Sequence, residues 1–489
     1  MDILLSGKEK SVDKEYCYCK EIIEKKLIGN NVAKAMAAIS VASSLLYEWN
    51  QRYTDDYLET AVSMVAQTTS TDEIHNMKPR KNTVLFYDGF GLDTRGLALI
   101  YLKALVHSKW KIYYVVPYHS KRLQPQIDKI IDGKNIEKIY CKHSKHEKKL
   151  KELQQIFCCI KPEKAFLYTS PYDVASIVAF MQMENVVKYQ INLTDHAFWL
   201  GIHAFDYCLE YRNYGASISF NERGIKRSQI IMLPYYPVLD KDVAFQGFPF
   251  EAEGKKIIFS GGALYKTIDK NRTYYKIVSL IMEDNPDTVF LYAGVGDDTY
   301  LKELMVAFPE RVFHIEERTD LYQIMIRVTL YLSTYPMAGG LMLQYAAVAG
   351  KLPISLRHGN DNGGVLINQD KLGIEYNSLD ELVKDVNRLL SDDDYRKKRE
   401  LLLEGCVISE SAFEDELLNI VEYSYSKYNS DLLPIDTTQF RKEFAERFDL
   451  NSFKTKIANR SNVALLREYG EAYYDKIREG ILRGLRSRL

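Results

Sequence analysis

Apolar and polar positions follow two rhythms along this chain, and the change from one to the other marks its parts. Up to about residue 78 the apolar residues recur at helical spacing, as in IGNNVAKAMAAISVASSLLYEWNQRYTDDYLETAVSMVAQ. The turn-like NQRYTDD interrupts that run and predicts two helices. No strand alternation or glycine-rich loop occurs there, so the pattern predicts a helical cap or docking module and carries no sign of chemistry. Residues 76–82 (NMKPRKN) are polar, and the rhythm then changes.

NTVLFYDGFGLDTRGLALIYLKALVHSKWKIYYVVPY predicts a strand over 84–87, a loop with Gly89, Gly91 and Gly96, an amphipathic helix, and a strand over 112–116. That is a βαβ unit, which implies a parallel sheet. The lysine-rich KIYCKHSKHEKKLKELQQIF, within residues 120–165, reads as helical with a solvated charged face. AFLYTSP gives a strand and turn, and a helix follows over 172–183. A strand over 188–193 ends at Thr194-Asp195-His196, with Phe198-Trp199 just beyond. A strand over 205–210 and the apolar MLPYYPV close a first α/β domain. Residues 240–254 (DKDVAFQGFPFEAEG) read as a linker. A second α/β series follows in KIIFSGGALYK, TVFLYAGVGDD and VFHIEERTDLYQIM, then in residues 330–356 and in HGNDNGG at 358–364. From about residue 377 the chain is helical and charged, and it ends in the basic REGILRGLRSRL. The expected boundaries are 1–78 (helical), 79–240 and 241–405 (Rossmann-like), and 406–489 (helical).

Composition narrows the class. The 489 residues exceed one core. A net charge of −1 argues against a general nucleic-acid binder, which would carry a broad basic surface. Seven scattered cysteines without zinc-ligand spacing read as reduced thiols. No signal peptide and no run of about 20 apolar residues is visible, so a cytoplasmic protein is expected. The basic C-terminal segment is compatible with contact at an anionic membrane surface at its inner face, though packing on the protein body is the plainer reading. Self-association is also compatible with the sequence.

Candidate chemistry sits at strand ends. In residues 330–356 (LYLSTYPMAGGLMLQYAAVAGKLPISL) a strand runs into a loop with Ser333, Tyr335 and Pro336, and Gly339-Gly340 opens a helix. Bare amides and a helix dipole at one point would suit a phosphate; a plain tight turn is the competing reading. Ser260-Gly261-Gly262, Lys266, Gly294 and Gln344 could join such a site as backbone donors, a cation and a hydrogen-bonding amide. The Gly89 loop is crowded by Asp88 and Asp93 and does not match a dinucleotide fingerprint. Asp88, Asp93 and Arg95 are candidates for a hydroxyl-rich acceptor, with turn and cap roles as the alternative. His196 next to Asp195 is a candidate base, or else a structurally satisfied histidine with a capping aspartate. Asp297-Asp298 is as well suited to a turn as to a metal.

STYPMAGGLMLQYAAVAGKLPI resembles the donor-binding segment of GT-B glycosyltransferases, and NLTDHAFWLGIHAFDY resembles a segment of uncharacterised bacterial sugar transferases. The resemblance covers about residues 80–420. It implies an α/β chain of two Rossmann-like domains facing a cleft, with a helical N-terminal region and a helical C-terminal segment. It also implies transfer of a sugar from a nucleoside-diphosphate sugar, a UDP-sugar above all, to a glycan, protein or lipid-linked acceptor hydroxyl. Synthesis of bacterial surface polysaccharide or glycoconjugates is the setting it suggests. His196, Asp88 and Asp195 would serve the base. Ser260, Gly261, Gly262, Lys266, Gly294, Ser333, Tyr335, Gly339, Gly340 and Gln344 would bind the donor. No cofactor and no metal are expected. The sequence departs from retaining members, which carry a Glu-x7-Glu pair: Met337 and Tyr345 stand at those places. That points to inversion, and leaves open a non-catalytic partner subunit of an active transferase or a nucleotide-sugar epimerase.

Overall fold

The β-branched and aromatic runs form strands in two wholly parallel sheets. The computed structural model describes residues 2–92, 97–239, 241–358 and 364–460. The first sheet contains Thr83–Asp88 (β1), Lys111–Pro117 (β2), Ile136–Cys141 (β3), Lys164–Tyr168 (β4), Val187–Ile191 (β5), Tyr207–Glu210 (β6) and Ile230–Met232 (β7). The second contains Lys256–Gly261 (β8), Thr288–Ala293 (β9), Val312–Ile315 (β10), Leu330–Leu332 (β11), Pro353–Leu356 (β12) and Glu375–Tyr376 (β13). Their orders are β3-β2-β1-β4-β5-β6-β7 and β10-β9-β8-β11-β12-β13. Both follow the doubly wound Rossmann pattern, in which the order reverses beside the first strand.

The chain begins with helices α1 (Asp2–Ile28), α2 (Val32–Trp49), α3 (Asp56–Thr69) and α4 (Asp72–His75). Between strands of the first sheet run α5 (Leu97–Leu105), α6 (Pro125–Ile131), α7 (His146–Ile160), α8 (Val174–Met181) and α9 (Asn213–Asn221). In the second sheet α10 (Thr273–Asp284), α11 (Thr299–Ala307), α12 (Leu321–Met325) and α13 (Gly340–Val348) do the same. After β13 come α14 (Leu379–Ser391), α15 (Asp393–Glu400), α16 (Glu410–Tyr423), α17 (Thr438–Arg447) and α18 (Leu450–Arg460).

The chain divides into two compact units. One comprises Met1–Glu210, Gly215–Met232 and the described residues from Leu417; the other comprises Tyr211–Tyr214 and Leu233–Glu416. The N-terminal helices are part of the first unit's core, where Ile39, Leu45, Leu58 and Val62 join Leu85, Leu153 and Phe180 in one apolar cluster. Polar ties follow the same seam: Gln154 and Gln182 donate to the carbonyls of Thr69 and Ala66 at 2.8 and 2.9 Å. In the second unit, residues 241–254 lie along the sheet edge through Phe245, Phe248 and Phe250. Phe250 meets Phe313 of β10 at 4.7 Å between ring centroids.

One expectation is corrected. KIYCKHSKHEKKLKELQQIF is not helical throughout, because residues 136–141 (IEKIYC) form β3 and only His146–Ile160 is helix. Ile136 and Cys141 are buried and pair with Ile112 and Pro117 of β2, while Glu137 faces water at this edge of the sheet, where charge discourages further pairing.

Aromatic rings form a ladder across the first sheet. Register aligns Phe86, Phe166, Tyr189 and Tyr207 on neighbouring strands. Their rings stack at 5.9, 4.9 and 5.6 Å, and the Tyr189 hydroxyl donates to the Ile420 carbonyl of α16 at 3.1 Å. All three tryptophans (Trp49, Trp110, Trp199) lie in this unit, so their fluorescence reports its unfolding alone. Phe166→Ala should lower the unit's stability by about 3–5 kcal/mol in urea titrations. A loss under about 1 kcal/mol would show that the ladder is not a core element.

Candidate functional site

In a doubly wound sheet the loops after the first and fourth strands part company, and ligands bind outside the strand ends at that point. In the second unit these are the loops after β8 and β11. Gly261-Gly262 ends β8. Gly262 has φ +130°, its amide donates to Ala293 at 2.9 Å, and its carbonyl accepts from the Tyr292 hydroxyl at 2.9 Å. Gly294 crosses directly over it with φ +156°; a Cβ there would stand 2.0 Å from the Gly262 carbonyl oxygen. The close crossing therefore requires glycine. His314 Nε2 braces it at 2.8 Å from the Gly294 carbonyl.

Lys266 lies just beyond, and its carbonyl accepts from the Met337 amide at 3.3 Å, tying the two loops together. Its side chain reaches across: Nζ is 3.9 Å from where a Cβ on Gly339 would stand. Burial lowers its pKa, and no carboxylate pairs with it among the described residues. Gly339 is the N-cap of α13 and no side chain caps that helix, so first-turn amides are left without intrahelical acceptors. At Gly339 (φ −93°) an added Cβ would make only ordinary contacts; at Gly340 it would press on Val365 Cγ1 at 3.0 Å. Gly340 is thus needed for packing, whereas Gly339 leaves space in front of the lysine.

The other expected donor-side residues have internal partners. Ser260 is fully buried and accepts from the Tyr274 hydroxyl at 2.6 Å. Ser333 is buried, its amide donating to Ile354 at 2.8 Å. The Tyr335 hydroxyl lies 3.2 Å from His358 Nδ1. Gln344 is fully buried and donates to the carbonyls of Tyr235 and Val365 at 2.7 and 3.2 Å, which anchors α13. Tyr345 donates to the Val238 carbonyl at 2.7 Å. Asp297 accepts from the amide and hydroxyl of Thr299 at the start of α11. Among the described residues no group of three His, Cys, Asp or Glu side chains is placed to hold a metal ion.

In the first unit Asp88 is fully buried and serves its own loop. It accepts from the amides of Phe90 and Gly91 at 2.9 and 3.0 Å, and from the Tyr114 hydroxyl at 2.6 Å. Burial raises its pKa and those bonds oppose the rise. At the same edge Lys149 reaches both Asp173 oxygens at 2.8 Å, with Tyr87 and Thr169 donating to the carboxylate. Despite burial, that company holds Asp173 down at about 2. Asp93, Arg95, residues 359–363 of HGNDNGG and the terminal REGILRGLRSRL lie outside the described residues.

His196 is one-third exposed, with Nδ1 3.3 Å from Asp195 Oδ1, whose side chain is fully buried. Its loop is gripped from several sides. Arg223, almost wholly buried, donates to the carbonyls of Thr194, Asp195 and Ala197 at 3.1, 3.1 and 2.7 Å, between the rings of Tyr53 and Trp199. Asn50, from the end of α2, donates to the His196 carbonyl at 3.0 Å and accepts from the Phe198 amide at 3.2 Å. Glu59 of α3 accepts from the Gly201 amide at 2.7 Å. Sequence reasoning missed all three, as well as Lys149, Asp173 and His314. Only Glu59 carried a visible sign, a carboxylate three and seven residues before Val62 and Ala66 on the apolar face of α3.

No family model matches this chain, and no curated protein matches it either. Solved structures do. A Thermobaculum terrenum O-GlcNAc transferase variant superposes with a TM-score of 0.51 at 11% identity, covering 90% of this chain and 83% of its own. A glycosyltransferase from Rickettsia africae gives 0.52 at 12%, covering 71% and 98%. A Listeria monocytogenes protein described as a UDP-N-acetylglucosamine 2-epimerase gives 0.51 at 12%, covering 73% and 100%. The fold is GT-B-like, an architecture that glycosyltransferases and UDP-N-acetylglucosamine epimerases share.

Burial pushes the Glu59 carboxyl up to about 7, against the pull of the Gly201 and Ile202 amides. Between its ordinary value of 4.5 and about 7, the folded state keeps a proton that the unfolded chain has released. Stability therefore falls as pH rises through that window and the loss is complete above it. Glu210, likewise raised to about 7 by burial, adds a loss of the same sign. Glu59→Gln should reduce the drop in tryptophan-detected stability between pH 5 and pH 8 by on the order of 2–3 kcal/mol. An unchanged drop would mean that Glu59 is ionised in the fold throughout.

Proposed function

We propose that the chain is a glycosyltransferase that takes a sugar from a nucleoside-diphosphate sugar, a UDP-sugar for preference, to an acceptor hydroxyl. We further propose inversion at the transferred carbon, no metal requirement, and a place in bacterial surface polysaccharide or glycoconjugate synthesis. The observation that carries the reading is Lys266: a half-buried cation with no carboxylate partner among the described residues, set beside the open N-terminus of α13 and the Gly261-Gly262 turn. Burying a lysine without a counter-charge is costly unless an anion arrives. The leaving diphosphate gains negative charge as the glycosidic bond breaks, and fixed amides with an adjacent ammonium would stabilise it. His196, backed by Asp195, is the side chain to which we assign removal of the acceptor proton. With Met337 and Tyr345 where retaining enzymes place glutamates, no carboxylate is offered there for a double displacement.

A second reading keeps the donor site and removes the acceptor. The Listeria neighbour's description makes 2-epimerisation of a UDP-sugar the alternative reaction. Product analysis separates the two, since transfer yields a free nucleoside diphosphate and a glycosylated acceptor, whereas epimerisation changes only the sugar. A chain that binds nucleotide, turns over neither way and co-purifies with an active transferase would be a partner subunit.

Two predictions test the site. UDP at a hundredfold excess over its dissociation constant should stabilise the second unit by about 3 kcal/mol in thermal-shift measurements. Lys266→Ala and Gly339→Asp should each weaken that binding at least tenfold without lowering the nucleotide-free melting temperature, because position 339 has room for a side chain. Gly339→Ala should bind as the parent does. Parent-like affinity in Gly339→Asp would remove the phosphate assignment. His196→Ala should retain the UDP shift and lose about a hundredfold or more in transfer rate; full activity in it would discard the assigned base.

A further inference from the structure

Parallel pairing brings two basic loops together at one edge of the first sheet. Register sets Pro117, the last residue of β2, beside Cys141, the last of β3. The chain then continues as Tyr118-His119-Ser120-Lys121-Arg122 after one strand and as Lys142-His143-Ser144-Lys145-His146 after the other. Those ten residues hold four Lys or Arg and no acid, in a chain whose overall net charge is −1. Adjacent strands lie about 4.8 Å apart, so the loops leave the sheet as neighbours. Tyr118 packs edge-on against Tyr140 at 6.1 Å, which fixes one loop to the other strand.

Lys121, Arg122, Lys142 and Lys145 are all exposed, and none forms an ion pair among the described residues. One acid at the second loop, Glu152, is turned onto its backbone and accepts from the amides of Lys142 and His143 at 2.9 Å; another, Asp173, pairs with Lys149. Beside the cations Tyr118 keeps half of its surface exposed, with Lys121 Nζ 5.8 Å from its ring centroid.

We infer that this edge binds an acceptor chain bearing repeated oxyanions, so that the acceptor is an acidic glycan or polyol phosphate; this rests on the transferase reading above. Four cations without carboxylate partners among the described residues, from two separate segments, match spaced negative charge. The placement at the carboxyl ends of parallel strands is that of a ligand edge.

The test uses the full chain and measures binding of poly(glycerol phosphate), oligogalacturonate, neutral dextran and single-stranded poly(U) over a range of NaCl concentrations. One or both of the acidic glycan-type probes should bind, more weakly as salt rises, and dextran should not; the tighter of the two names phosphate or carboxylate as the recognised group. The combined variant Lys121→Gln, Arg122→Gln, Lys142→Gln, Lys145→Gln should weaken that binding at least tenfold. A charge-matched control (Lys10→Gln, Lys14→Gln, Lys25→Gln, Lys384→Gln) should leave it unchanged. Parent-like binding by the combined variant, no binding of either acidic probe, or tighter binding of poly(U) than of both would each overturn the inference. The UDP thermal shift, read on the same samples, separates the failures. A shift without polyanion binding sinks this inference alone, and polyanion binding without a shift sinks the donor-site reading.

Discussion

A parallel strand pair forms only when the chain returns along the outside of the sheet before adding the next strand. Every one of the pairings in both sheets is of this kind. Strand after strand therefore ends at the same edge, and loops that are far apart in sequence are delivered there side by side. Gly262 meets Gly294, Lys266 meets Gly339, and Asp173 meets Lys149 for this one reason. The strand order reverses beside β8, the position at which sheets of this kind bind ligands outside their strand ends.

What fills those edges differs between the units. In the second, three chain segments meet through glycine backbone and a lysine with no carboxylate partner among the described residues. In the first, charges are mostly spent internally: Asp88 on its loop, Asp173 on Lys149, Arg223 on carbonyls. Buried polar groups satisfied in this way specify a loop conformation rather than await a ligand. The partly exposed His196 and the basic loops after β2 and β3 are the exceptions, which is why the acceptor chemistry is assigned to them.

The N-terminal helices acquire a purpose from the same bookkeeping of hydrogen bonds. Asn50, Tyr53 and Glu59 hold the His196 loop by two amide bonds, a ring against Arg223 and a carboxylate on Gly201. A helical layer that shares the sheet's core and also grips a loop at its edge is part of that loop's support.

Local pattern by itself determined most strands and helices of both α/β series, their parallel sense and the glycine-marked loops, because period-2 and period-3.6 burial are written into consecutive residues. It also marked residues 330–356 as an anion-binding turn candidate, since a glycine pair after an apolar strand is visible without knowing its neighbours. It misread residues 136–141, where lysines beside a long helix masked an edge strand whose identity depends on pairing with β2. Tertiary structure alone decided which side chains are spent and which are free. Ser260 and Gln344 look like donor-site residues in sequence and are bonded inside the fold, whereas Lys266 is directed at Gly339. Asn50 and Arg223 were invisible, and Glu59 showed only as a carboxylate on an apolar helix face, because their partners lie more than twenty residues away and are backbone atoms, which leave no trace in residue type. The physical reason is common to all of them: the hydrogen-bonding capacity of a polar side chain is a local property, but whether it is already satisfied depends on what the fold places next to it.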